Sequence, residues 1–270
     1  MQLSLYTLLT HGLAIEETIR LAAEAKFDAV DIRQHQDGSH LALDVSDDDT
    51  KRIAGLVAAA GLHVSGLTTY HVLGAPVSEL PGLKASMHTA QLLGARFIRV
   101  SGPEIDYTLG YEAVREVFRQ QAAEASAMAR DHGLVVTMEQ HGGRLSASAG
   151  QMLDLLRGVA DGNIGVVYDP GNCVREGFER PLVQVEMLRH IMRAVHVKNA
   201  MPMGADAASH MIPAENTRLD EGLLNWREIV AAIKSTGYDD YLTLEDFYGF
   251  DSVAEKLEWD VEYLRGLMLL

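Results

Sequence analysis

Eight short runs rich in Val, Ile and Leu recur along the chain, at Leu3–Thr7, Ala29–Arg33, His63–Thr68, Phe97–Ser101, Val135–Glu139, Gly165–Asp169, Ala194–Lys198 and Tyr241–Glu245. They are continuous rather than alternating, the pattern of strands buried on both faces of a parallel sheet. Between them, apolar residues fall at helical spacing: Ile15, Ile19 and Ala22; Ile53, Leu56, Val57 and Ala60; Met152, Leu155, Leu156 and Val159; Trp226, Ile229, Val230 and Ile233; Val253, Leu257, Val261 and Leu264. Each stripe reads as a helix packed on the sheet. Gly61, Gly94, Gly133, Gly162 and Gly237 each follow a helical pattern and precede a strand, where glycine accepts the left-handed conformation that ends a helix. A length of 270 residues allows eight strand–helix units of about 34 residues. The expected fold is therefore α/β, a single (β/α)8 TIM barrel spanning 1–270 as one domain. An open doubly wound sheet is the alternative, weakened because neither a glycine-rich dinucleotide fingerprint nor a P-loop is found. The longest stretch without a period, Ala200–Gly222, follows the seventh strand and is expected over the barrel's C-terminal mouth.

Composition agrees with a packed globular chain, at 47% hydrophobic and 23% charged residues. No apolar run reaches the roughly 18 residues of a membrane span. Met1 to Thr10 has neither a basic start nor a long apolar stretch, so no signal peptide is expected. The one cysteine, Cys173, excludes an intrachain disulfide framework and a cysteine-built zinc site. These features predict a cytoplasmic protein. The net charge of −15 argues against broad nucleic-acid binding, because a phosphate backbone repels an anionic surface.

In such a barrel the strand C-termini face the active site. The first four strands end in mixed residues, but the last four end in Glu139, Asp169, His196 and Glu245. Three carboxylates at neighbouring strand ends repel one another and lose solvation, and a divalent cation removes that cost. Two Glu, one Asp and one His suit Mn²⁺ first, with Co²⁺, Zn²⁺ or Mg²⁺ as alternatives. Each residue also has an ordinary reading. Glu139 can pair with an arginine, Asp169 can form a turn before Pro170-Gly171, His196 can bond a carbonyl, and Glu245 can start a helix.

The segments around these residues resemble the xylose-isomerase-like TIM barrels, the superfamily of sugar-phosphate isomerases and epimerases. Met138-Glu139-Gln140-His141 is similar to its Glu-Asn-His segment, and Asp169-Pro170-Gly171-Asn172 to its Asp-x-Gly-Asn. His196-Val197-Lys198-Asn199 looks like its His-x-Lys-Asp, and Leu219 to Trp226 like the Gly-Glu-Gly-x-x-Asp-Trp lead into the seventh helix. The resemblance implies one divalent metal held by Glu139, Asp169, His196 and Glu245. It further implies that Glu139 and Glu245 act as acid and base through a cis-enediolate, and that Lys198 adds a positive donor or an ion pair. His141, Arg33, Arg144 and Asn172 are candidate substrate contacts. His35 and His71 are further pocket candidates, Tyr6 and Tyr70 candidate walls, and Trp226 a core residue.

The implied substrate is a small sugar, sugar phosphate or cyclic polyol, and the implied assembly a homodimer or homotetramer. Asn172 departs from the histidine that the DNA-repair branch and some free-sugar epimerases carry three residues after the aspartate, which argues against DNA repair. Three functions follow: an isomerase or epimerase first, a dehydratase of an inosose-like or shikimate-like substrate second, and a sugar-binding barrel without turnover third.

Overall fold

The computed structural model describes residues 1–176, 179–204 and 212–270. Seven successive parallel strands, β1 (Gln2–Tyr6), β2 (Ala29–Arg33), β3 (His63–Val72), β4 (Phe97–Ser101), β5 (Val135–Glu139), β6 (Ile164–Tyr168) and β7 (Met192–Val197), curve round in chain order. An antiparallel hairpin of β8 (Asn199–Pro202) and β9 (Ala214–Thr217) interrupts the alternation. The last strand, β10 (Tyr241–Leu244), then pairs with both β7 and β1 and closes the barrel. Each expected run coincides with a barrel strand, and every residue of β2, β4, β6 and β10 is buried, which explains their unbroken apolar character.

Helices α1 (Ile15–Glu24), α2 (Asp47–Ala59), α3 (Leu80–Leu93), α4 (Tyr111–His132) and α5 (Ala149–Leu156) cover the first five strands. The short α6 (Pro170–Cys173), then α7 (Pro181–Leu188), α8 (Trp226–Ser235) and α9 (Val253–Leu269), complete the outer layer. The stripes face inward: Ile15, Ile19 and Ala22 of α1 are buried, as are Trp226, Ile229, Val230 and Ile233 of α8. Gly94 and Gly133 take the left-handed conformation (φ 71° and 69°) directly after α3 and α4. Gly162 differs from the expectation. The fifth helix ends at Leu156, where Arg157 turns extended, so Val159 falls outside the helix and Gly162 belongs to the loop before β6. Among the described residues no helix is long and apolar enough to cross a membrane.

The expected long loop Ala200–Gly222 contains the β8–β9 hairpin, and its residues 205–211 lie outside the described ones. One side chain clamps the hairpin's base. Asn199 Nδ2 donates to the carbonyls of Leu219 (2.8 Å) and Leu224 (3.0 Å), and its Oδ1 accepts from the amides of Ala200 and Leu224, both at 3.0 Å. Gly222 lies against this clamp: a Cβ there would stand 2.0 Å from Asn199 Oδ1, so no other residue fits. Trp226 is buried, and its indole N–H donates to the Lys198 carbonyl at 3.0 Å.

A charged triad ties the segment after β10 to the last helix. Lys256 of α9 bonds Asp246 and lies 3.5 Å from Asp260. Among the described residues neither carboxylate oxygen of Asp260 has a hydrogen-bond partner. Burial, only partly offset by Lys256 and reinforced by Asp246, pushes the Asp260 carboxyl up to about 7. Its contribution to stability is therefore complete below its ordinary value near 3.9 and is lost as pH rises through about 7. Asp260→Asn is expected to gain about 1–3 kcal/mol over the parent at pH 8.5 and little at pH 4. Urea melts at the two pH values check this, and equal differences at both would refute it.

Candidate metal centre

The site is assembled from strand ends. Glu139 is the last residue of β5, Asp169 follows β6, His196 is the penultimate residue of β7, and Glu245 follows β10. Each offers one ligand atom, and the four atoms lie within 4.8 Å of one another, all on buried residues. His196 Nδ1 is 3.2 Å from both Glu139 Oε1 and Glu245 Oε2, and 3.9 Å from Asp169 Oδ2. Tyr6 stacks on the imidazole with centroids 6.0 Å apart.

Asp169 also caps a helix. Its Oδ1 accepts the Asn172 amide at 3.0 Å, and this holds the single turn of α6. Its Oδ2 faces the site and accepts from Asn172 Nδ2 at 2.8 Å. The turn-forming and site-building readings of Asp169 are thus both realised. Lys198 lies two residues beyond His196, and its Nζ stands 2.7 Å from Asp169 Oδ2 and 2.6 Å from Glu245 Oε2. Arg99, in the middle of β4, bonds Glu139 Oε2 and anchors itself on the Thr69 carbonyl (2.7 Å) and Ser101 Oγ (3.1 Å).

This geometry sets the charges. Burial opposes ionisation of Glu139, but Arg99, His196 and Lys198 hold its carboxyl well below the usual range. Glu245 is likewise disfavoured by burial and brought down to about 2 by Lys198 and His196. Burial pushes Asp169 up to about 7, with Lys198 opposing and the two glutamates adding to the rise. Burial would lower His196, yet Glu245 and Glu139 lift it to about 10, and Asp169 and Glu245 lift Lys198 above its ordinary value. Three buried carboxylates thus require positive charge, and the metal-free chain supplies it partly as a proton on His196.

The residues fit a divalent cation: three carboxylate oxygens and one imidazole nitrogen converge on a small volume, and a neutral His196 frees a lone pair for the metal. Metal uptake at pH 8 is expected to release about one proton per site. Calorimetry in two buffers of different ionisation enthalpy measures it, and zero linked protons would show that His196 is not a ligand. The same shift predicts that stability from the His196 contacts is complete below about 6.5 and lost as pH rises through about 10.

A cavity of about 220 Å³ opens onto Glu139, His196, Lys198 and Glu245, with Tyr6, Tyr70, His141, Asn172 and Phe247 among its other walls. His141 and Asn172 line this cavity. The two arginines do not. Arg33 is buried with its guanidinium on Asp37 (2.8 and 2.9 Å) and on the Tyr70 hydroxyl (3.0 Å). Arg144 pairs with Glu104 at 3.2 Å in a separate groove. His35 and His71 line a further cavity next to Tyr70. The residue missed from the sequence is Arg99. Its signal was a charged residue in the centre of a strand whose neighbours are all apolar, where only a buried counter-charge makes arginine tolerable.

A family model described as "Xylose isomerase-like TIM barrel" matches residues 19–267. A relative from Methanocaldococcus jannaschii, the uncharacterized protein MJ1311, is 26% identical over 147 residues, 53% of this chain and 47% of the relative, so the chain spans about half that protein's length. Solved structures align over nearly the whole chain. A xylose isomerase-like TIM barrel protein from Mycobacterium smegmatis in complex with magnesium gives a TM-score of 0.76 at 18% identity, covering 99% of this chain and 97% of the other. The probable 3-DHS dehydratase AsbF from Bacillus anthracis gives 0.78 at 18%, covering 98% and 99%. A D-tagatose 3-epimerase-like protein gives 0.77 at 19%, covering 100% and 97%. At these identities the likeness is one of fold.

Proposed function

This chain belongs to the xylose isomerase-like TIM barrel family, and we propose that within it the protein is a divalent-metal-dependent isomerase or epimerase of a sugar or cyclic polyol. The observation that carries the reading is the pair of glutamates: Glu139 and Glu245 flank His196 Nδ1 at 3.2 Å each and open onto one cavity. Glu139, Asp169, His196 and Glu245 would hold the metal, Mn²⁺ by preference with Mg²⁺, Zn²⁺ and Co²⁺ as alternatives. When bound, it polarises a substrate carbonyl and its neighbouring hydroxyl, which acidifies the C–H bond between them.

The chain's own groups do the rest. One glutamate takes the carbon-bound proton and the other returns a proton, from opposite sides of the substrate, through an enediolate. Low carboxyl pKa values keep both glutamates ionised at neutral pH in the free protein, so one can accept the carbon-bound proton, while the other first takes from a substrate hydroxyl the proton it then gives to carbon, and the first restores that hydroxyl. Lys198 stays protonated and orients Asp169 and Glu245 through its two bonds, so it acts as a donor rather than a base. Asn172 and His141 offer hydrogen bonds to substrate hydroxyls, and Tyr6 and Phe247 exclude water from the reacting face. Arg33 and Arg144 drop from the proposed substrate contacts because both are engaged away from the cavity.

The test is incubation of the metal-loaded protein in D₂O with free ketoses, their phosphates and cyclic polyols. Deuterium entering a carbon-bound position without loss of water is the expected result. Formation of an absorbing enone would assign the chemistry to dehydration instead, the reading that the likeness to the Bacillus anthracis protein favours. Saturable binding without exchange or dehydration would leave a sugar-binding barrel.

A further inference from the structure

Beside the metal centre lies a second, larger cavity, of about 410 Å³ against about 220 Å³. Tyr70 belongs to the walls of both. The rest of the larger wall includes Gln34, His35, Gln36, Leu43 and His71. The chemistry proposed above uses none of them.

Tyr70 is fixed from several sides. Its hydroxyl accepts from Arg33 Nε at 3.0 Å and lies 3.0 Å from the Tyr6 hydroxyl. The Arg33 and Arg99 guanidinium carbons stand 5.3 and 5.4 Å from its ring centroid, and His35 meets the ring edge-on at 4.7 Å. A ring held this way is a rigid ridge between two chambers rather than a gate.

The polar groups of the larger cavity are amides and imidazoles. Gln34 donates Nε2 to the Ala42 carbonyl at 3.1 Å, and its buried Oε1 has no partner among the described residues. Glu79, the one carboxylate on this wall among the described residues, already accepts from the Val72 amide at 3.1 Å and lies 3.5 Å from His71 Nδ1. Gly82 leaves room for the His71 ring, since a Cβ there would lie 2.9 Å from His71 Cε1. Neither lysine nor arginine lines this cavity, and in the smaller one Arg99 and Lys198 are both engaged with carboxylates. A phosphate calls for free charged donors. His71 Nε2 lies 3.0 Å from Ser86 Oγ and its Nδ1 faces Glu79, so the Gln36 amide and the His35 imidazole are left to match neutral hydroxyls, and Leu43 and Tyr70 present apolar faces to the C–H side of a sugar ring.

We infer that the larger cavity is a subsite for a second, uncharged polyhydroxylated ring, so that the substrate is a neutral glycoside or disaccharide whose reacting unit lies at the metal centre and whose other ring crosses Tyr70. This rests on the proposed reading of the metal centre as an isomerase site. The probes are lactulose, a disaccharide with a ketose unit, D-fructose and fructose 6-phosphate, titrated calorimetrically into Mg²⁺-loaded protein. Lactulose is expected to bind at least about tenfold more tightly than fructose. Leu43→Trp, at a half-exposed position that can take the bulk, should fill the subsite and erase that ratio while fructose affinity and metal content stay unchanged; Gln36→Ala should reduce it. Equal affinity for the two sugars in the parent, a ratio that survives Leu43→Trp, or tightest binding of the phosphate each overturns the inference. Fructose binding and solvent exchange without a lactulose preference would overturn it alone. Binding of neither sugar to the metal-loaded protein would overturn it together with the ketose reading of the site.

Discussion

Glu139→Gln and Glu245→Gln are each expected to lower solvent-hydrogen exchange by about 10²–10⁴-fold, the range of a lost general acid or base. The amide keeps the shape and one oxygen at each position but can neither accept nor return a proton. The two variants should differ in a second respect. Glu139→Gln removes the counter-charge of a buried arginine, whereas Glu245→Gln leaves Lys198 its bond to Asp169. The first should therefore also melt earlier, and the second should stay near the parent in stability. Exchange rates in D₂O, with metal content determined on the same samples, separate lost chemistry from a lost ion. Near-parental exchange in either variant would sink the two-glutamate scheme.

Arg99→Met should give the largest change in stability. The substitution leaves Glu139 buried and ionised without its principal partner, a situation that costs about 3–5 kcal/mol. For a chain of this size that is a melting-temperature loss of roughly 6–20 °C in chelator-treated protein. A divalent cation supplies the missing positive charge, so the loss should shrink on adding Mg²⁺ or Mn²⁺. It should also shrink toward low pH, where the freed carboxyl is protonated in folded and unfolded chains alike. Differential scanning calorimetry with and without metal reads both effects. A metal-free variant as stable as the parent would mean that the pair does not balance the buried charge.

The frame of the molecule was legible because strands buried on both faces leave continuous apolar runs, and all eight runs lie in the barrel. Glu139, Asp169, His196 and Glu245 stood out because a charge at the end of an apolar strand has few ordinary explanations. Arg99 escaped for the opposite reason: it sits mid-strand, and reading only the strand ends passes over it. The sequence offers Arg33 and Arg144 as candidate substrate contacts. Their partners, Asp37 and Glu104, are set by loop conformation that no periodicity encodes. Gly162 was assigned to a helix end because α5 is shorter than its apolar stripe. The larger cavity has no sequence signal for a related reason: Leu43, in the loop after β2, meets His71 of β3 and Gly82 of α3 only in the folded chain.

The clamp made by Asn199 joins parts of the chain that the sequence sets apart. Its four hydrogen bonds, to Ala200, Leu219 and Leu224, join the two ends of the β8–β9 excursion directly after Lys198, so the same side chain that follows the site residue also closes the base of the hairpin. A barrel built this way carries an insertion between its seventh strand and the helix that follows, with a single side chain closing its base.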